Sequence, residues 1–89
     1  MGLEERNSAK WPVTIYTRPG CATCQSAKSF LAARGIAYTE INVAEDSAAS
    51  RWVTLQAGGE TPVIVVEEEV MAGFDRRRLE RLLGLGHGA

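Results

Sequence analysis

The 89-residue chain is 45% hydrophobic, but twelve of those forty residues are alanine, which leaves enough larger apolar groups for one core and excludes a second domain. Ten basic against eleven acidic residues give a formal net charge of −1, so nothing global draws the chain onto nucleic acid or an anionic membrane. The longest apolar run, Pro62 to Val66, is far too short to span a bilayer.

Residues 1–10 are polar and aperiodic and read as a flexible leader; with no apolar stretch of the secretory type there, a reducing, cytoplasmic setting is expected. Val13-Thr14-Ile15-Tyr16-Thr17 is rich in β-branched and aromatic residues and predicts a strand. Arg18, before Pro19, is biased to extended backbone, and Pro19-Gly20 turns the chain. From Cys21 to Arg34 the spacing of Cys24, Ala27, Phe30 and Leu31 predicts a helix, ended by Gly35. Ile36 to Val43 reads as a second strand, with Ala37, Thr39, Ile41 and Val43 on one side and Tyr38, Glu40 and Asn42 on the other.

Asp46 or Ser47 caps a second helix whose inner stripe is Ala48, Trp52 and Leu55 and which Gly58-Gly59 closes. Thr61 to Val66 suits the middle of a sheet, with Pro62 at a strand start where no interior ladder bond is lost. Glu67-Glu68-Glu69 is a solvated hairpin and Val70-Met71-Ala72 a short return strand. Gly73-Phe74-Asp75 leads into a third helix, capped by Asp75, with Leu79, Leu82 and Leu83 inward and Gly84 at its end; 85–89 read as a flexible tail. The domain is 11–84, in the order β-α-β-α-β-β-α. The first two strands should pair in parallel through a crossover and the last two antiparallel, with helices on both faces of the sheet.

Cys21 and Cys24 are the only cysteines, separated by Ala22 and Thr23 at the predicted helix start. In a reducing compartment a purely structural staple is disfavoured. Three readings compete: a redox dithiol, half of a zinc site, and two inert buried thiols. Zinc would need further ligands, and the lone histidine, His87, stands in the glycine-rich tail, so no metal site is expected.

The stretch from Tyr16 to Cys24, then Thr61-Pro62-Val63, then Gly73-Phe74-Asp75 resembles the glutaredoxin branch of the thioredoxin superfamily, over about Val13 to Leu83. The resemblance implies a thioredoxin-like α/β fold: a four-stranded mixed sheet flanked by three helices. Pro19-Gly20 replaces the tryptophan that thioredoxins carry before the first cysteine, and Ala-Thr between the cysteines matches neither branch. Gly73-Phe74 is similar to the glutaredoxin-like redoxins that reduce ribonucleotide reductase, whereas Asp75 matches the glutathione-using type. The implied activity is thiol–disulfide exchange on protein or glutathione-mixed disulfides, with glutathione or thioredoxin reductase as electron donor and no bound cofactor.

A helix N-terminus stabilises an anion, so Cys21 is expected to attack as the thiolate and Cys24, one turn deeper, to resolve the mixed disulfide. Arg18 is the cation nearest Cys21 in sequence, or else a solvated strand end; Thr23 is a polar rim residue, and Tyr16 serves either sheet packing or the site wall. The resemblance implies a cis Thr61-Pro62 bond beside Cys21 that offers strand-like hydrogen bonds to substrate. It also implies a facing wall of Gly73, Phe74 and Asp75, with Asp75 as helix cap and as binder of a glutathione amine, and Arg51 and Gln56 toward a glutathione carboxylate. Arg76-Arg77-Arg78 is either a solvated helix face or a docking patch for an acidic partner. An iron–sulfur carrier and a catalytically silent binding module are the alternative functions. A monomer with a disulfide-bearing protein substrate, and neither nucleic acid nor membrane, is the expected setting.

Overall fold

A computed structural model describes residues 12–84; the expected leader 1–10, Trp11 and the tail 85–89 with His87 lie outside them. Strands β1 (Val13–Thr17), β2 (Thr39–Asn42), β3 (Val63–Val66) and β4 (Glu69–Ala72) alternate with helices α1 (Ala22–Ala33), α2 (Ser47–Ala57) and α3 (Arg76–Leu83) in the expected order. They form one mixed sheet in the order β2-β1-β3-β4. β1 runs parallel to β2, with Ile15 opposite Glu40, and antiparallel to β3, with Ile15 opposite Ile64; β3 and β4 are antiparallel.

The strand alternation sorts side chains into two cores. Val13, Ile15, Ile64, Val66 and Met71 meet α1 and α3 through Ala27, Phe30, Leu31, Leu79 and Leu83. On the opposite face Val63 packs with Val43, Ala49 and Val53, bordered by Tyr16, Ile41, Trp52, Val65 and Val70. Each face of the apolar third strand is thus covered, as its composition requires.

The second predicted strand is shorter than expected. Pairing begins only at Thr39, and Val43 opens a 3₁₀ turn through Glu45, because the Asn42 side chain accepts from Ala44 N and bends the chain out of the ladder. The inner stripe of α2 is also corrected. Ala49 and Val53 face the sheet, with Trp52 and Ala57 half-buried, whereas Ala48 is exposed and Leu55 is 75% exposed. Ala48 and Trp52 of the expected stripe stand one position before the Ala49, Val53, Ala57 line and Leu55 two before it, and half-buried Trp52 borders that line. Thr61-Pro62 precedes β3 as a corner instead of starting it.

The caps follow from the sequence. Asp46 accepts from Ala49 N at 3.0 Å and Asp75 from Arg78 N at 3.1 Å, each satisfying an otherwise unpaired helix amide. Gly35 and Gly84 take positive φ, at +70° and +73°, directly where α1 and α3 stop.

Candidate active site

The site begins with a turn. β1 delivers Arg18 and Pro19 to Gly20, whose φ of +75° swings the chain so that Cys21 becomes the N-cap of α1 in extended geometry. In that position a side chain normally supplies an oxygen to a free helix amide; here the sulfur does so, with Cys24 N donating to Cys21 Sγ at 3.1 Å. The Thr61 hydroxyl donates to the same sulfur at 3.6 Å, and Thr23 Oγ1 lies 3.4 Å from it. Cys21 is half-buried and Cys24 only 1% exposed. The two are joined as a disulfide, with 5.2 Å between their Cα atoms.

Two further segments close around this pair. The Thr61-Pro62 bond is cis, and the Pro62 carbonyl accepts from Gly73 N at 2.7 Å, which fastens the loop after β4 to the corner before β3. Gly73 sits at φ +83°, a conformation side-chain-bearing residues rarely adopt. Phe74 then packs on Phe30 of α1, ring centroids 5.7 Å apart. The Asp75 carboxylate is engaged as the cap of α3.

Arg18 lies across the site as a strut. Its Nη2 donates to the Gly59 carbonyl at 2.9 Å, so the guanidinium links the segment before Cys21 to the loop that leads into Thr61. Arg51 and Gln56 are exposed on α2. Arg51 lines a shallow depression with Val43, Asp46 and Ser50, away from the residues that converge on the sulfurs. Gln56 stands in the last turn of α2, three residues before Gly59. Tyr16 packs against Trp52, centroids 4.9 Å apart, on the sheet face covered by α2.

A polar junction at the end of β1 has no counterpart in any local sequence pattern. Thr17, buried although polar, donates to Glu40 Oε2 at 2.8 Å, and Lys28 Nζ reaches the same oxygen at 3.0 Å. The hydrogen bonds from the Thr17 hydroxyl and then Lys28 hold the Glu40 carboxyl below its ordinary value of 4.5 against the opposing effect of burial. These residues are distant in sequence and have no motif; the only local signal was a threonine ending an apolar strand.

Among the described residues no helix is long and apolar enough to cross a membrane. Comparison with known proteins agrees with the geometry. The family model for glutaredoxin matches residues 13–71. The Gene 56 protein of Mycobacterium phage L5 is 35% identical over 74 residues, 81% of this chain and 72% of its own. The glutaredoxin-like protein NrdH of Escherichia coli K12 is 30% identical over 77 residues, 86% of this chain and 95% of its own. Among solved structures, the thioredoxin-like protein BC3987 superposes with a TM-score of 0.69 at 38% identity, covering 80% of this chain and 99% of that one. The E. coli NrdH-redoxin, described as having a thioredoxin-like activity profile, gives 0.74 at 30% identity over 80% and 93%. With its paired cysteines at the head of α1 and the cis-proline corner beside them, the chain belongs to the glutaredoxin family of thiol–disulfide oxidoreductases.

Proposed function

We propose that this protein reduces disulfides of protein substrates, with Cys21 as the nucleophile and Cys24 as the resolving thiol. The observation that carries the proposal is the asymmetry of the pair: Cys21 is accessible and its sulfur receives Cys24 N and the Thr61 hydroxyl, whereas Cys24 is buried. Donors aimed at a sulfur at a helix N-terminus favour its thiolate, the species that attacks. The Cys21 thiolate bonds to one sulfur of the substrate disulfide and expels the other as a thiolate. Cys24, deprotonated, then attacks Cys21 Sγ and releases the second substrate sulfur. Two electrons and two protons pass to the substrate, and the Cys21–Cys24 disulfide described here is the product state.

A thioredoxin-reductase-type donor is favoured over glutathione by two details. The Asp75 carboxylate and the Arg18 guanidinium are engaged within the protein, by Arg78 N and by the Gly59 carbonyl, and the E. coli NrdH-redoxin carries a thioredoxin-like profile. The test compares NADPH oxidation during insulin reduction with thioredoxin reductase against glutathione plus glutathione reductase. Turnover with the first donor at least tenfold faster than with the second is expected. Faster turnover with glutathione would overturn the donor assignment, and none with either or with dithiothreitol would overturn the reductase itself.

A further inference from the structure

A groove opens one residue beyond Cys24 and runs between α1 and the start of α3. Phe30 and Phe74 form its floor, Ser26 and Ser29 its hydroxyl side, and Arg34 and Arg76 its far end. The Arg34 guanidinium lies 4.1 Å from the centre of the Phe30 ring and that of Arg76 5.9 Å from it. Stacking on an aromatic face leaves the N–H edge of a guanidinium free for planar acceptors and limits the rotamers that must be frozen on binding. Both arginines share one carboxylate, Glu80, at 3.3 and 3.8 Å. Two cations against one anion leave this end of the groove positive.

The charge extends beyond the pair. Four of the ten basic residues of the chain fall within the eight residues of α3, and Arg77 and Arg78 are exposed beside Arg76. The acidic run Glu67-Glu68-Glu69 lies at the β3–β4 hairpin, at the opposite end of β3 from the Thr61-Pro62 corner. A substrate segment leading away from the cysteines along the groove thus meets aromatic surface first and the two guanidinium groups next.

From these observations we infer that the groove binds an extended, carboxylate-bearing segment flanking the target cysteine of the protein substrate. The inference rests on the reductase function proposed above and specifies the substrate class. Its length scale is set by the helix. Gln25 to Arg34 spans nine rises of about 1.5 Å, roughly 14 Å, which an extended peptide covers in about four residues. The acidic residues therefore belong about four to six positions from the cysteine that Cys21 attacks. Glu80 competes with them for the same guanidinium groups and sets how strongly they are held.

Paired synthetic peptides test this directly. Each carries one intramolecular disulfide and either two glutamates or two glutamines at the fourth and fifth positions from the attacked cysteine. With the unmodified protein at low salt, kcat/KM for the glutamate peptide is expected to exceed that for the glutamine peptide by roughly three- to tenfold, the range for two partly exposed ion pairs, and to lose most of that advantage in 0.5 M salt. The ratio falls toward one in the Arg34→Gln, Arg76→Gln double variant. It rises in Glu80→Gln, where the internal competitor is gone; a merely structural role for the three residues would not move the ratio in opposite directions. Equal rates on the two peptides, with bis(2-hydroxyethyl) disulfide still reduced, would overturn the groove and leave the reductase standing. Failure on all three substrates would overturn the reductase and the groove with it.

Discussion

The Thr61 hydroxyl reaches Cys21 Sγ at 3.6 Å from a segment forty positions away in sequence, so the environment of the sulfur depends on the tertiary fold as well as on its own helix. Thr61→Val keeps the branched shape and removes the donor. A hydrogen bond to a charged acceptor contributes on the order of 1 kcal/mol or more, and stopped-flow reduction of a protein disulfide should slow roughly three- to tenfold. An unchanged rate would mean that the Cys24 amide and the helix terminus suffice. At this scale the sequence was most legible where a motif is local. The pair Cys21 and Cys24, the caps Asp46 and Asp75 and the turn at Gly20 all depend on neighbours within a few positions. Arg18 was not legible in this way, because the carbonyl it binds belongs to Gly59, and no spacing rule connects the two.

Between elements, Glu40 joins β2 to the end of β1 through Thr17 and to α1 through Lys28. Its carboxyl is held below its ordinary value, so the linkage contributes stability above pH 4.5 and loses it as the pH falls through the lowered value. Glu40→Gln should therefore lower the urea midpoint at pH 7, and the gap from the unmodified protein should close on acidification below about 4.5. A gap that stayed constant with pH would show that the amide replaces the carboxylate fully. The loop after β4 makes a second prediction. Gly73 holds φ +83° while its N–H binds the Pro62 carbonyl, and an added Cβ would come no nearer than 3.8 Å to Glu60. Space is available and the backbone angle is not, so Gly73→Ala should destabilise by about 1 kcal/mol in urea titrations and also slow reduction; a neutral effect on both would refute the constraint. β2 and the inner line of α2 differ from the sequence expectation for separate reasons: the alternating pattern of Ile36–Val43 continues past the point where Asn42 turns the chain, and small alanines around α2 blur its apolar stripe.

For the whole molecule, the four-stranded sheet with helices on both faces was readable because β3 is apolar on both sides and the connections are short. The two faces are unequal: α1 and α3 share one and α2 alone covers the other. Leu31, fully buried on the two-helix face, fixes α1 and with it the position of both sulfurs. Leu31→Ala should cost about 2–5 kcal/mol, a large share of the stability of so small a domain, as measured by equilibrium urea unfolding of the oxidised protein. A loss below about 1 kcal/mol would mean that α1 is held by other contacts. The distribution of charge over the molecule was visible in the sequence as Arg76-Arg77-Arg78 and Glu67-Glu68-Glu69, but its geometry was not. Only the fold brings Arg34 and Arg76 onto the same ring and the same carboxylate.

The division of labour between the two cysteines is the claim on which the mechanism stands, and trapping the covalent intermediate tests it most directly. Cys24→Ser, reduced and mixed with a protein disulfide, should accumulate a mixed disulfide that peptide mass spectrometry maps to Cys21, while Cys21→Ser accumulates none on the same timescale. An adduct on Cys24 in Cys21→Ser, formed as fast as the Cys21 adduct, would contradict the account.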